Sequence, residues 1–175
     1  MRNRNHALVA LSTLLLALPL AAAAQSETRL VEEYKSFAGS DANAKSLVDG
    51  LRDGKEVTLT SGTSTTTFTP PTRKMGNGNV NIALALTEAK LKQQGITNPT
   101  PEQLKGALSD ILQQRAGDKG WGEIANGMGM KLGDVMRAEK ADRMARAERH
   151  ERAERPEKPE KPERPERPEK PERGR

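Results

Sequence analysis

The chain has 175 residues, 34% hydrophobic and 30% charged, with a formal net charge of +5 and no cysteine. The missing thiol excludes disulfide stapling, lipid anchoring through a cysteine, a thiol nucleophile and a Cys/His zinc site. The charge excludes a basic domain, because Gln25–Val135 holds 13 Lys and Arg against 13 Asp and Glu; the excess lies in Arg2, Arg4 and the residues from Met136 onward, so the pI near 9.6 is no mark of a nucleic-acid-binding domain.

Met1–Ala24 has the pattern of a secretory signal peptide. Arg2 and Arg4 form its positive start, Ala7–Leu18 is apolar apart from Ser12 and Thr13, and Ala21–Ala24 offer an A-x-A cleavage site. A membrane anchor is the competing reading, but the apolar run falls short of the roughly 20 residues a bilayer span needs. Cleavage after Ala24, or after Ala23, is expected, with export to the periplasm or beyond.

The foldable part is expected at 25–138. It has four aromatic residues, Tyr34, Phe37, Phe68 and Trp121, so its core must come from Leu, Ile, Val, Ala and Met. The fold class expected is mainly α: a small helical domain with a helix-turn-helix-like unit and a minor β-hairpin. Leu30, Val31, Tyr34 and Phe37 fall at helical spacing, with Ser26 or Thr28 as the cap and Gly39 as the stop. Ser40 then opens a second helix with Ala44, Leu47, Val48 and Leu51 as its stripe and Gly54 at its end.

Lys55–Thr69 changes character. Val57 and Leu59, then Thr65, Thr67 and Phe68, flank Ser61-Gly62-Thr63 and predict a small hairpin stopped by Pro70-Pro71. Its many threonines fit a half-exposed strand better than a glycosylated or ice-binding surface. Met75–Gly95 predicts the most buried, central helix, with Val80, Leu84, Thr87 and Leu91 on one face and Ile82, Leu86 and Ala89 on the next. Gly76-Asn77-Gly78-Asn79 before it reads as a tight capped turn. An anion cradle is the other reading, but the turn lacks the residues of a phosphate loop. Thr100, Pro101 and Gln103 form the start signal of a further helix, whose stripe is Leu104, Ala107, Leu108, Ile111 and Leu112.

The stretch Leu104–Arg137, centred on Gly120–Met136, is read as the element around which the domain is organised. Counted from Trp121, Ala125 falls at a small fifth position, Gly129 at a ninth-position turn and Val135 at the fifteenth, with Ile124 beside the alanine. This spacing resembles the helix-turn-helix motif of bacterial regulators and sigma factors. The would-be recognition helix begins Lys131-Leu132-Gly133-Asp134, which offers little to read base edges and one carboxylate to repel phosphate. The shape is therefore expected without the DNA function. A broader resemblance, carried by Phe37–Ala44, by Pro70-Pro71 with Met75–Val80, and by Gly120–Met136, is to small uncharacterised exported proteins of proteobacteria. It implies export and a fold spanning most of 30–140, and no particular activity.

Nothing in the residues assembles a catalytic set. After the signal the one histidine is His150, in the charged segment, and carboxylate pairs such as Asp49/Asp53 or Asp110/Asp118 are ordinary on helix surfaces. No cofactor is implied. Residues 139–154 predict a solvated helical extension braced by pairs such as Glu139/Arg143 and Glu148/Arg152, with little to hold it to the domain. From Arg155 to Arg175 a Lys/Arg-Pro-Glu repeat of period three predicts a disordered, polyproline II-like tail. Its cations Lys158, Lys161, Arg164, Arg167 and Lys170 would share one edge. That tail is a spacer or bristle meeting anionic envelope polymers, or only a solubilising segment. The candidate partner-binding residues are these five and Trp121; the partner expected is an anionic envelope polymer or another envelope protein, with nucleic acid not expected. The leading functional expectation is a non-catalytic interaction or structural module of the cell envelope. The alternatives are a DNA-binding regulator and a carboxylate-dependent enzyme.

Overall fold

The computed structural model describes residues 18–154. Most of the signal pattern and the repeat tail with Lys158, Lys161, Arg164, Arg167 and Lys170 lie outside the described residues. Within them the chain is mainly helical with one small hairpin: α1 (Leu18–Ala38), α2 (Asp41–Asp53), β1 (Val57–Ser61), β2 (Ser64–Phe68), α3 (Asn77–Gln93), α4 (Pro101–Ala116), α5 (Trp121–Gly127) and α6 (Leu132–Glu154).

α1 departs from expectation at its start. It is continuous from Leu18, so neither Ser26 nor Thr28 caps it. Ala21–Ala24 are the strongest helix formers available, and they carry the helix backward past the expected cap. Ser26 instead accepts a hydrogen bond from the side-chain amide of Asn77. Among the described side chains of this helix the buried apolar ones are Leu30, Tyr34, Phe37 and Ala38, all of which follow Gln25. Gly39 turns the chain at φ +82°. Ser40 then caps α2 by accepting from the Asn43 amide at 3.1 Å. The stripe Ala44, Leu47, Val48 and Leu51 is fully buried.

Asn43 ties three segments together. Its Nδ2 donates to the carbonyls of Ala38 and Thr60, each at 2.9 Å, and its Oδ1 accepts from the Thr60 amide at 2.8 Å. A buried side-chain amide must be satisfied, and this one fixes the α1 end, α2 and β1 relative to one another. Gly50 answers a second constraint. A Cβ there would run into the Val57 side chain, so a residue that ordinarily weakens a helix is what lets β1 lie against α2.

β1 and β2 pair antiparallel with Leu59 opposite Thr66 and Val57 opposite Phe68. The inward residues of β2 are therefore Thr66 and Phe68, not Thr65 and Thr67, because alternation follows from the register set by the two-residue turn Gly62-Thr63. Thr66 donates its hydroxyl to Glu102 Oε1 at 2.7 Å and so ties the hairpin to α4.

α3 is the centre of the molecule. One face (Val80, Ala83, Leu84, Leu91) packs in a cluster with α1, α2, the hairpin and α4, through Tyr34, Leu47, Leu51, Leu59 and Leu108 among others. Its other face (Ala85, Leu86) joins Ile111, Ile124, Ala125 and Val135 in a second cluster. α4, within the expected stretch Leu104–Arg137, also supplies both clusters, through Leu104, Leu108 and Leu112 to the first and Ile111 to the second, so the organising role is shared between α3 and that stretch. The physical reason is position: only a helix apolar on opposite sides can be covered on both. α4 starts with the reciprocal box expected, Gln103 N donating to Thr100 Oγ1 at 3.3 Å and Thr100 N to Gln103 Oε1 at 2.9 Å.

α5 and α6 form the helix-turn-helix shape. Ala125 and Ile124 have no exposure, Val135 has 9%, and Gly129 takes φ +74° in the turn. Glu123 reaches back to accept from Gly120 N at 2.7 Å at the start of α5. The expectation that little holds 139–154 to the domain is overturned. Arg143 Nε faces Glu33 Oε1 at 3.2 Å, Arg146 Nη1 donates to the Glu33 carbonyl at 2.6 Å, and Lys92 meets Asp142 at 3.0 Å. The expected pairing within α6 is present, Arg143 meeting Glu139 at 2.8 Å, and further partners of the same helix lie on α1 and α3.

Candidate functional site

Trp121 is the one sequence-nominated partner-binding residue that lies within the described residues. It starts α5 partly buried and packs against both apolar clusters. Its Nε1 donates to Asn79 Oδ1 at 3.0 Å, and the Arg115 guanidinium lies over its ring at 5.2 Å from the centroid. Arg115 also donates from Nη1 to the Lys119 carbonyl at 2.9 Å. Two contacts of different kinds therefore hold one guanidinium in place, which lowers the side-chain entropy lost on binding a ligand.

Beside this stack opens a cleft of 560 Å³ lined by Thr72, Arg73, Lys74, Asn79, Arg115 and Asp118 together with Pro71, Met75 and Ala116. The loop after Pro70-Pro71 brings Arg73 and Lys74 there. It is anchored by Met75 N, which donates to the carbonyls of Leu51 at 3.3 Å and Arg52 at 3.2 Å. α3 contributes Asn79 from its first turns, and its cap residue Gly76 offers no side chain to those amides. The far wall is the end of α4, where Asp118 takes φ +64°. α4 ends at Ala116 with Gly117 as its cap, yet Gly117 keeps φ −85° and the left-handed residue is Asp118, a type that tolerates it.

The cleft therefore carries three cations and one carboxylate in a part of the chain whose charges balance as a whole. Lys74's charge reaches beyond it: Asp53 is held below the usual carboxylate range chiefly by a hydrogen bond from Lys55, opposed by partial desolvation and assisted by Lys55, Arg52 and Lys74. The Thr72 hydroxyl is shut off from solvent and has no hydrogen-bond partner among the described residues, an arrangement that costs stability where it stands.

A larger, more open groove of 1310 Å³ runs between α1 and α6, with Met144 exposed on its wall. Two of its cations are already engaged, Arg143 with Glu33 and Glu139 and Arg146 with Glu88 and the Glu33 carbonyl. Three of the four carboxylates weighed as an acid/base set are each held by a lysine of their own. Asp49 pairs with Lys45 at 2.6 Å, Asp53 with Lys55 at 3.1 Å and Asp110 with Lys90 at 2.8 Å, while Asp118 lines the cleft. Among the described residues no group of three or more His, Cys, Asp or Glu is placed to hold a metal ion.

The chain matches no protein-family model, no curated protein and no solved structure. The cleft is thus argued from its own geometry. Sequence reasoning had weighed Gly76–Asn79 as an anion cradle and set it aside, and it passed over Arg73, Lys74 and Arg115 altogether. They are distant in sequence and converge only once α3 and α4 pack together. The adjacent cations after Pro70-Pro71 were the one local signal for them.

Proposed function

We propose that the chain is an exported, non-catalytic binding module of the bacterial cell envelope that takes an anionic partner. The observation that carries this reading is the gathering of Arg73, Lys74 and Arg115 around one recess with a single carboxylate, Asp118, while Gln25–Val135 as a whole is neutral. Such convergence attracts a negative partner, with an affinity that falls as salt screens it. The export half rests on Arg2, Arg4, the Leu-rich run and Ala21–Ala24, and the resemblance to exported proteobacterial proteins points the same way. The tail cations Lys158, Lys161, Arg164, Arg167 and Lys170 would add a second, weaker attraction, since each repeat also carries a glutamate.

The test has two parts. Mass spectrometry of the native protein should find it beginning near Gln25 in the envelope fraction. Capture from a periplasmic extract, with Pro156–Arg175 present and deleted, should return an anionic partner both times and lose it at high salt. Full-length protein recovered from the cytoplasm would remove the export reading.

A DNA-binding regulator is the second reading, favoured by the α5–turn–α6 geometry. Against it, Arg137 on the first turns of α6 is tied to Asp134 by an ion pair, so the best-placed cation there is already engaged by a carboxylate. A shift of random duplex DNA at physiological salt by the purified chain would favour that reading.

A further inference from the structure

We infer that the cleft beside Trp121 is a binding site for a phosphate monoester group. The inference rests on the proposed function for an anionic partner and adds that partner's chemistry.

The first argument is charge matching. Arg73, Lys74 and Arg115 against Asp118 leave the recess with two positive charges in excess. A phosphate monoester carries about 1.5–2 negative charges at neutral pH, with three acceptor oxygens. A carboxylate or a phosphodiester carries one, and would leave a cation uncompensated. The second argument is preorganisation. The Arg115 guanidinium has five N–H donors in one plane, and the single bond to the Lys119 carbonyl uses one of them. The indole face and that bond fix the plane, leaving its remaining edge for two oxygens of one group, the bidentate geometry at which arginine exceeds lysine. Lys74 and Arg73 supply charge from the opposite side on a loop whose backbone is pinned at Met75. The third argument is size. A cleft of 560 Å³ lies within the range of small-ligand sites and exceeds a phosphate group alone. The remainder takes the moiety that bears the phosphate, with Asn79 at its edge.

The test uses the full chain and the emission of Trp121, the one tryptophan in the sequence. Inorganic phosphate titrated at constant ionic strength should change the emission saturably, and chloride should not. Lys74→Gln and Arg115→Gln should each weaken phosphate binding about tenfold, as expected for loss of one charge-assisted contact. Asp118→Asn should strengthen it, and Lys131→Gln, exposed and outside the cleft lining, should leave it unchanged. Because Arg115→Gln also disturbs the indole, Lys74→Gln with a native circular dichroism spectrum is the decisive variant. Co-sedimentation with phosphatidylcholine vesicles containing phosphatidate, against vesicles without it, separates the sources. Response to phosphate alone means a soluble phosphate ester, and response to both means a surface-borne one. Equal responses to phosphate and chloride, or parental affinity in folded Lys74→Gln, overturn the inference. Failure here with an anionic partner still captured from the extract removes the phosphate assignment alone; phosphate binding by a chain found uncleaved in the cytoplasm removes only the export reading.

Discussion

α3 and the second half of α6 are both helices packed on the same domain, and they are held by opposite means. α3 places Val80, Ala83, Leu84, Leu86 and Thr87 entirely out of solvent, and the one polar group among them, the Thr87 hydroxyl, donates to the Ala83 carbonyl at 2.7 Å. From Glu139 onward α6 contributes no buried apolar side chain among the described residues; its attachment is Arg143 and Arg146 reaching Glu33 and Glu88, with Lys92 of α3 reaching Asp142. Apolar burial is not screened by salt and scales with area, at about 25 cal/mol per Å². Charge pairs on partly exposed side chains contribute little each and are screened. One protein therefore holds a core that should respond to volume and a clasp that should respond to salt.

The sharpest way to break that contrast is Leu84→Ala. It removes a fully buried side chain from a helix that supplies both clusters, and the expected cost is about 2–5 kcal/mol by chemical denaturation. A midpoint close to the parent's would show that the core refills the cavity and that α3 is not the centre. Ala125→Leu tests the second cluster separately. Ala125 is fully buried where α5 meets α6, and overpacking it should cost about 1–3 kcal/mol. If that variant melts like the parent, the α5–α6 junction is loose and the shape there is incidental.

Glu33→Gln addresses the clasp. The Glu33 side chain is 5% exposed and faces Arg143, which is 29% exposed, so water still reaches one partner. The expected global cost is about 1 kcal/mol, between the ranges for exposed and buried pairs. Hydrogen exchange should quicken over 139–149 while α3 keeps its protection, and high salt should produce the same pattern in the parent. Uniform loss of protection in both helices would mean that the clasp and the core are one cooperative unit.

The smallest effect at neutral pH, and a clear one in alkali, concerns Tyr34. Burial, and secondarily the charge of Glu88, push its phenol well above the ordinary value of 10.0, and its hydroxyl donates to Asn81 Oδ1 at 2.7 Å. The folded state therefore keeps a proton that the unfolded chain loses, and the associated stability is fully present below pH 10.0 and declines as pH rises above it. Lys92 acts in the same direction: partial burial lowers its affinity for the proton, and hydrogen bonds to Asp142 and Glu88 outweigh that and raise it. Since Tyr34 is the one tyrosine, phenolate absorbance should appear together with the loss of helical circular dichroism. Phenolate formed while the helices persist would show that Tyr34 is reachable by solvent in the folded chain.

The sequence by itself determined the local elements. Ser40, Gly54, the Thr100–Gln103 box and Gly129 mark boundaries through interactions spanning a few residues, and the stripes of α2, α3 and α4 name their own buried faces by periodicity. What it left open is whatever depends on two elements meeting. The facing of β2 is open in the sequence because threonine is acceptable on either side of a strand, so only the register could choose Thr66. The clasp reads as solvated helix because Glu139/Arg143 satisfies an intrahelical rule, and nothing local says that Glu33, far away in sequence, also meets Arg143. The cleft was missed for the same reason. A charge has no periodicity, so nothing local says that Arg73, Lys74 and Arg115 will share a recess. That was decided when burying both faces of α3 carried the loop before it against the end of α4.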